Sequence, residues 1–476
     1  MKKMLYIFLA LCLVLCLAAC GGTKTSNGIK SDHIHCVCAG NAEGVGAHKT
    51  CAKNDGWQKV ATAEELEAAM DAASTAKPAY VVLTEDVTIK TYLQVALGKT
   101  VNICLNGKKL NASARVIGEL NITDCTGTGT VVSEKNNTVR TYAGSVVNVY
   151  AGTITTTGAK DDTQIVVLRG TEDVDLSLSE AESVFTLYGG KIEATGKTSK
   201  LGHCVYLDSF GTLKMYNGTI CNGYVEATEN PNRYGGNIAV YGSNSAFYLF
   251  GGEVRDGTAT YSGGKNATAG LGGNIYVYRG ALYAQGGTIS GGHTDGYGGN
   301  IGTNNKPLIM DFRNCVIKDG VADGTNGGNI YIQGAGQLLS FENVTISGGK
   351  ASAGGNIYIN QATAAVIKDC TISDGKGTAG SGLTVNGKNF TVEMVGDVKF
   401  INNENSDIQM LYYSSNGEVT QSRLAITNLT ATGPIVVSAK KKMEFTEDTV
   451  ANHPFVAVEG MSISEVNGKL VIDKAG

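Results

Sequence analysis

The sequence predicts an all-β chain wound as a right-handed parallel β-helix, with a short helix capping its first coil. Three observations carry that prediction. Gly-Gly-Asn-Ile recurs at residues 235–238, 272–275, 298–301, 327–330 and 354–357, so Asn237, Asn274, Asn300, Asn329 and Asn356 stand 37, 26, 29 and 27 residues apart. A second apolar step aligns as Ile154, Ile192, Ile220, Val254, Ile289, Ile317, Ile346 and Ile372. The chain has 64 glycines but only 5 prolines and no Gly-X-Y period, which excludes collagen and argues against simple disorder. A period of about 28 residues in a Gly-rich, β-branched sequence marks a repeat that cannot bury its apolar face alone and stacks on copies of itself. A solenoid also lets 476 residues form one long domain, because it grows by adding coils.

The elements follow in chain order. Lys2 and Lys3 precede an apolar run over 4–17, which ends in Leu17, Ala18, Ala19 and Cys20. A positive start, a short apolar stretch and small residues before a cut site predict a secretory signal over residues 1–20, too short for a permanent span. Its ending resembles the bacterial lipobox. That resemblance implies that Cys20 becomes the lipidated first residue, anchoring the chain to the membrane, extracytoplasmic and at the cell surface; an ordinary signal peptide is the alternative. Residues 21–32 read as a polar tether. Residues 33–57 hold a dense cluster of His33, His35, Cys36, Cys38, His48 and Cys51, followed by Trp57. A knuckle without a core needs a metal or a disulfide. Either a structural zinc on these side chains or a disulfide from Cys51 to Cys36 or Cys38 meets that need.

The β-helix is expected over residues 58–389. Within 62–74, Thr62 and Glu65 form a capping box and Leu66, Ala69, Met70 and Ala73 an apolar stripe, so a helix is placed there as a lid on the first coil. Strands begin at 80–83, 86–89 and 101–105. From 390 to 476 glycine thins out while strand patterns persist, as expected of atypical end coils or a small β cap.

Repeat chemistry follows from alternation. In 275–278, Ile275 and Val277 face one side and Tyr276 and Tyr278 the other, and the aliphatic pair is the buried one. The five asparagines should stack as a structural amide ladder, with Cys204 in that place one coil earlier. Cys315 and Cys370 fall two coils apart with Val344 between, about 9–10 Å, too far for a disulfide. Cys104 and Cys125 can pair only if their coils are adjacent. Tyr206, Tyr276, Tyr331 and Tyr358 share one outward slot, interrupted by Ala239 and Gly302. Such a column either stacks on successive sugar rings or forms cross-strand pairs.

The functional classes narrow from there. A formal charge of −4, with no basic face, gives nucleic acid no footprint. Paired carboxylates for glycoside hydrolysis would need facing aspartates on adjacent coils. Asp256, Asp319 and Asp374 share a column, but Gly291 and Gly348 fill the intervening places, and Asp161, Asp162 and Asp173 read as solvated loop residues.

Taken together, His-x-His-Cys-x-Cys at 33–38, His48, Cys51, Trp57, the run 82–88, the run 103–107 and the Gly-Gly-Asn-Ile coils resemble a family of right-handed β-helix surface proteins from gut Firmicutes. The coils are also loosely similar to chlamydial polymorphic outer-membrane repeats. The resemblance implies a pectate-lyase-like fold at the cell surface in a group mostly without assigned activity. The expectation is a monomeric, lipid-anchored β-helix that binds or displays extracellular polysaccharide or host glycans without catalysis. A polysaccharide lyase or glycoside hydrolase is the alternative, and an adhesin or passive surface spacer the third reading.

Overall fold

The computed structural model describes residues 57–475 apart from segments 135–136, 158–162, 171–180, 228–233, 262–269, 305–308, 335–337, 361, 363, 388–389, 416–417, 432 and 448–452. The described chain is a right-handed parallel β-helix. Each coil visits three sheets in turn. Sheet A has 14 strands from Gln58–Val60 to Arg423–Thr427, sheet B 12 strands from Val87–Thr88 to Lys399–Ile401, and sheet C 14 strands from Leu93–Val95 to Phe455–Ala457. Four coils add a short strand between B and C, forming sheet D from Tyr224–Ala227, Thr258–Tyr261, His293–Thr294 and Val321–Ala322. Strands of successive coils pair in parallel, and such crossovers are right-handed because twisted strands pack back only that way.

Register turns the sequence period into files. Ile154 pairs with Ile192, and the file continues through Ile220, Val254, Ile289, Ile317 and Ile346 to Ile372 in sheet B. All eight are buried in one continuous core. Strand rungs lie about 4.8 Å apart, which is also a good stacking distance for identical side chains. Phe312 and Phe341 use it, with ring centroids 4.8 Å apart and planes at 4°. Burying each such side chain contributes roughly 1.5–3 kcal/mol, but only when a coil lies on either side.

Both ends of the stack are closed. The helix Ala63–Asp71 starts at Thr62, whose Oγ1 accepts from the Glu65 N–H at 3.3 Å, while Glu65 Oε2 accepts from the Ala61 N–H at 2.7 Å. Leu66, Ala69, Met70 and Ala73 are buried against the first strands of sheet A, Gln58–Val60 and Ala79–Leu83. Trp57 packs edge-on to Tyr80 beside them. At the other end the parallel coils run on past residue 390 and finish in an antiparallel sheet of Met443–Glu444, Lys469–Lys474 and Met461–Val466. Phe445, Leu470 and Ile472 carry the core into that cap. The C-terminal segment is thus both the end of the solenoid and its lid.

Candidate functional site

The asparagine file sits where sheet C begins. Asn237 Nδ2 donates to Asn274 Oδ1 at 2.7 Å, Asn274 to Asn300 at 2.7 Å, Asn300 to Asn329 at 2.7 Å and Asn329 to Asn356 at 2.8 Å. The second amide proton of each goes to a main-chain carbonyl at the end of sheet B, those of Arg255, Ser290, Lys318, Ser347 and Ser373, all at 2.8 Å. Each Oδ1 also accepts a main-chain N–H, from Gly223, Gly257, Gly292, Gly320 and Gly349. Every polar group is satisfied and all five side chains are fully buried, so this file pins a corner and offers nothing to a ligand. The Cys204 thiol lies 3.4 Å from Asn237 Oδ1, extending the file by one coil.

The tyrosine column departs from expectation. Register puts Tyr206, Ala239, Tyr276, Gly302, Tyr331 and Tyr358 in one outward file of sheet C. Outward is not exposed, however: Tyr276, Tyr331 and Tyr358 are 1%, 4% and 6% accessible, and Tyr206 is half-buried. The cover is the residue just before each Gly-Gly or its equivalent, Leu201, Tyr234, Leu271, Tyr297, Asn326 and Ala353. The first glycine of the pair, at φ 67° in Gly235 and Gly272, folds that residue back over the sheet. A Cβ on Gly272 would lie 1.9 Å from the Ile275 carbonyl oxygen, so no side chain fits there. The two layers complement each other in volume. Tyr234 accompanies the small Ala239 and stacks on Tyr276 at 4.3 Å, and Tyr297 accompanies Gly302 and packs on Tyr331 at 4.6 Å. The Tyr331 and Tyr358 hydroxyls accept from Asn360 and Asn386. Of the two readings of this column, sugar stacking and cross-strand packing, the geometry favours packing: its ring faces are spent on a second, satellite core.

An open aromatic surface lies elsewhere, on the outer face of sheet A. Tyr150, Tyr188, Tyr216 and Phe250 stack on successive coils at 5.0, 5.3 and 4.8 Å, with planes within 22°. Tyr248 and Tyr283 stack beside them at 4.6 Å, and Tyr248 touches Phe250. Tyr216 is 45% exposed, and Tyr188, Tyr248, Phe250 and Tyr283 are half-buried, with no second layer above them among the described residues. Partial burial pushes the phenols of Tyr188, Tyr248 and Tyr283 above their ordinary range, so they stay protonated donors. The sequence carries a signal for this file that the Gly-Gly-Asn-Ile period does not include, an aromatic four residues before the Ile or Val of each step at 154, 192, 220 and 254. Beyond Phe250 the same file turns polar, and Arg313, Glu342 and Lys368 form an ion-pair ladder. A second amide ladder, Asn102, Asn121 and Asn148, lies in the neighbouring file.

The carboxylate column has a backbone cause. Asn222, Asp256, Gly291, Asp319, Gly348, Asp374 and Asn402 all hold φ between 54° and 66° at the turn after sheet B. Only Gly, Asn and Asp take that conformation readily. A Cβ on Gly291 would lie 2.6 Å from Asp256 Oδ1, and one on Gly348 2.5 Å from Asp319 Oδ1. Asp256 and Asp319 thus lie over the glycine of the next coil, Asp374 accepts from Asn402 Nδ2 at 3.4 Å, and no two of these carboxylates face each other. His203 is 2% exposed; its Nδ1 accepts the Tyr224 N–H at 3.2 Å, and burial lowers its pKa to about 4. It is a neutral structural acceptor. The six described cysteines are thiols. Cys315 and Cys370 are buried, which pushes them up to about 12 and about 11. Cys104 pairs in register with Thr123, which puts Cys104 and Cys125 on adjacent coils.

Among the described residues no three His, Cys, Asp or Glu side chains gather around a metal-sized space, and no helix is long and apolar enough to cross a membrane. Cys20 and the cluster His33, His35, Cys36, Cys38, His48 and Cys51 lie outside the described residues. Compared with known proteins, the chain matches no family model, no curated protein and no solved structure.

Proposed function

We propose that this is a lipid-anchored β-helix of the bacterial cell surface that binds glycans without transforming them, through the outer face of sheet A. The observation that carries the reading is the uncovered column Tyr188, Tyr216 and Phe250 joined by Tyr248 and Tyr283. Coaxial stacking turns the ring faces toward one another, so the surface presents ring edges and hydroxyls. Aromatic edges carry partial positive charge, and a rank of phenol donors one rung apart suits the ring oxygens and hydroxyls of an extended saccharide. Contact is edge-on, unlike the face-on stacking expected of the sheet C tyrosines. Location rests on the signal-like segment ending at Cys20 and on the resemblance to surface β-helix proteins.

The test is a glycan array probed with the mature chain, followed by the variant Tyr216→Ala, Phe250→Ala, Tyr283→Ala on the glycan that binds. Removing exposed aromatics from a carbohydrate contact should weaken binding by about tenfold or more while the far-UV spectrum stays unchanged. Unaltered affinity would defeat the assignment of the face. New reducing ends or unsaturated products would replace the binding reading with a hydrolase or lyase.

A further inference from the structure

Between sheets B and C, on a different side of the coil from the aromatic face, four successive coils line an open cleft of about 560 Å³. The same place in each coil contributes to it, with Asp323 from the first, Lys350 and Ser352 from the second, Lys376 and Thr378 from the third and Glu404 from the fourth. Lys350 and Lys376 are bridged in parallel register, so their backbones are one rung, about 4.8 Å, apart. Both are exposed. Several basic side chains elsewhere on the coils have acids beside them, as Lys191 has Glu193, Arg313 has Asp311 and Lys368 has Glu342. Lys350 and Lys376 form no ion pair among the described residues. The acids at the two ends of the cleft are engaged instead with other groups: Asp323 Oδ2 lies 2.7 Å from His293 Nε2, and Glu404 Oε2 accepts the Gly377 N–H at 3.3 Å.

We infer that this cleft is a second binding site, for a saccharide chain bearing a carboxylate or sulfate group among free hydroxyls, with the anionic group held between Lys350 and Lys376. Two like charges one rung apart repel until an anion lies between them. Asp323 and Glu404 accept hydrogen bonds from neighbouring sugar hydroxyls. An opening that runs across four coils suits a chain better than a free ion. The site does not rest on the aromatic face.

The experiment measures binding of the mature chain to hyaluronan, which carries one carboxylate per disaccharide, to chondroitin sulfate, and to carboxyl-reduced hyaluronan as the neutral counterpart. The wild type should bind at least one of the two anionic polymers and not the reduced one, and raising ionic strength from about 0.05 M to about 0.5 M should weaken binding. Lys350→Gln, Lys376→Gln should weaken binding about tenfold or more, since both cations are lost, whereas Lys109→Gln, on sheet B and many coils away, should leave it unchanged. Both polymers carry the carboxylate and only chondroitin sulfate adds a sulfate, so binding of both indicates carboxylate recognition and binding of chondroitin sulfate alone indicates sulfate recognition. Absence of wild-type binding to both, equal binding of the reduced polymer, or unchanged binding by the double variant would overturn the inference. Because both lysines are exposed, a melting curve matching wild type is expected and shows that any loss is local.

Discussion

Asn300, in the middle of the amide file, gives a prediction whose size follows from the geometry. Its Nδ2 donates to Asn329 Oδ1 at 2.7 Å and to the Lys318 carbonyl at 2.8 Å; its Oδ1 accepts from Asn274 Nδ2 at 2.7 Å and from the Gly292 N–H at 2.9 Å. Asn300→Ala removes all four bonds. Two acceptors keep a partner, since Gly320 N–H still reaches Asn329 Oδ1 and Gly291 N–H still reaches the Lys318 carbonyl. The Gly292 N–H and one Asn274 proton are stranded in a dry interior. At about 1 kcal/mol for each net hydrogen bond and about 1–3 kcal/mol for a stranded donor, with overlap between the two, the loss is about 4–6 kcal/mol. Asn300→Asp keeps the shape and both accepting bonds but points carboxylate oxygens at two acceptors. Its folded-state pKa must rise above the unfolded value so that a proton can be donated. The variant is therefore least impaired below about pH 4 and loses stability as pH rises through the raised pKa. Urea unfolding followed by far-UV circular dichroism measures the loss, and hydrogen exchange at Gly292 localises it. Trp57, the single tryptophan, lies beside the first coil and should report an unchanged midpoint, because coils couple mainly to their neighbours. An Asn300→Ala protein within about 1 kcal/mol of wild type, or an Asn300→Asp protein indifferent to pH, would refute the ladder as a source of stability.

Three further outcomes are expected. Burial holds His203 neutral with a pKa lowered from 6.5 to about 4, so the unfolded chain takes up a proton that the folded chain refuses, and stability falls as pH drops from about 6.5 toward 4. The loss reaches about 3 kcal/mol, and His203→Gln should flatten that limb of a stability–pH curve; an unaltered slope would show that His203 is not its source. Leu66→Ala, at a fully buried position of the cap, should cost about 2–5 kcal/mol and lower the Trp57 fluorescence midpoint before the bulk dichroism signal changes. Gly302→Ala should destabilise by about 1–3 kcal/mol, because its Cβ would lie 2.4 Å from the Gly272 nitrogen and 3.0 Å from the Tyr297 carbonyl oxygen. On an uncovered strand the same change would be neutral or favourable, so thermal melts of this variant test the second layer over sheet C directly.

What the sequence determined alone is the set of files. A side chain's place in a solenoid depends only on its position within the repeat, so the asparagine ladder, the sheet B isoleucine file, the two-coil separation of Cys315 and Cys370 and the membership of the tyrosine column were all legible from spacing. The aromatic file at 150, 188, 216 and 250 was equally periodic and needed only to be aligned. Tertiary structure alone decided exposure. Whether an outward tyrosine meets solvent depends on where the preceding segment folds back, which follows from a positive φ at Gly235 or Gly272 and from Ala239 and Gly302 leaving room for Tyr234 and Tyr297. Periodicity names the neighbours of a residue along the axis but not the chain that crosses over it. For that reason the candidate binding faces moved to sheet A and to the Lys350–Lys376 cleft, where no described segment crosses.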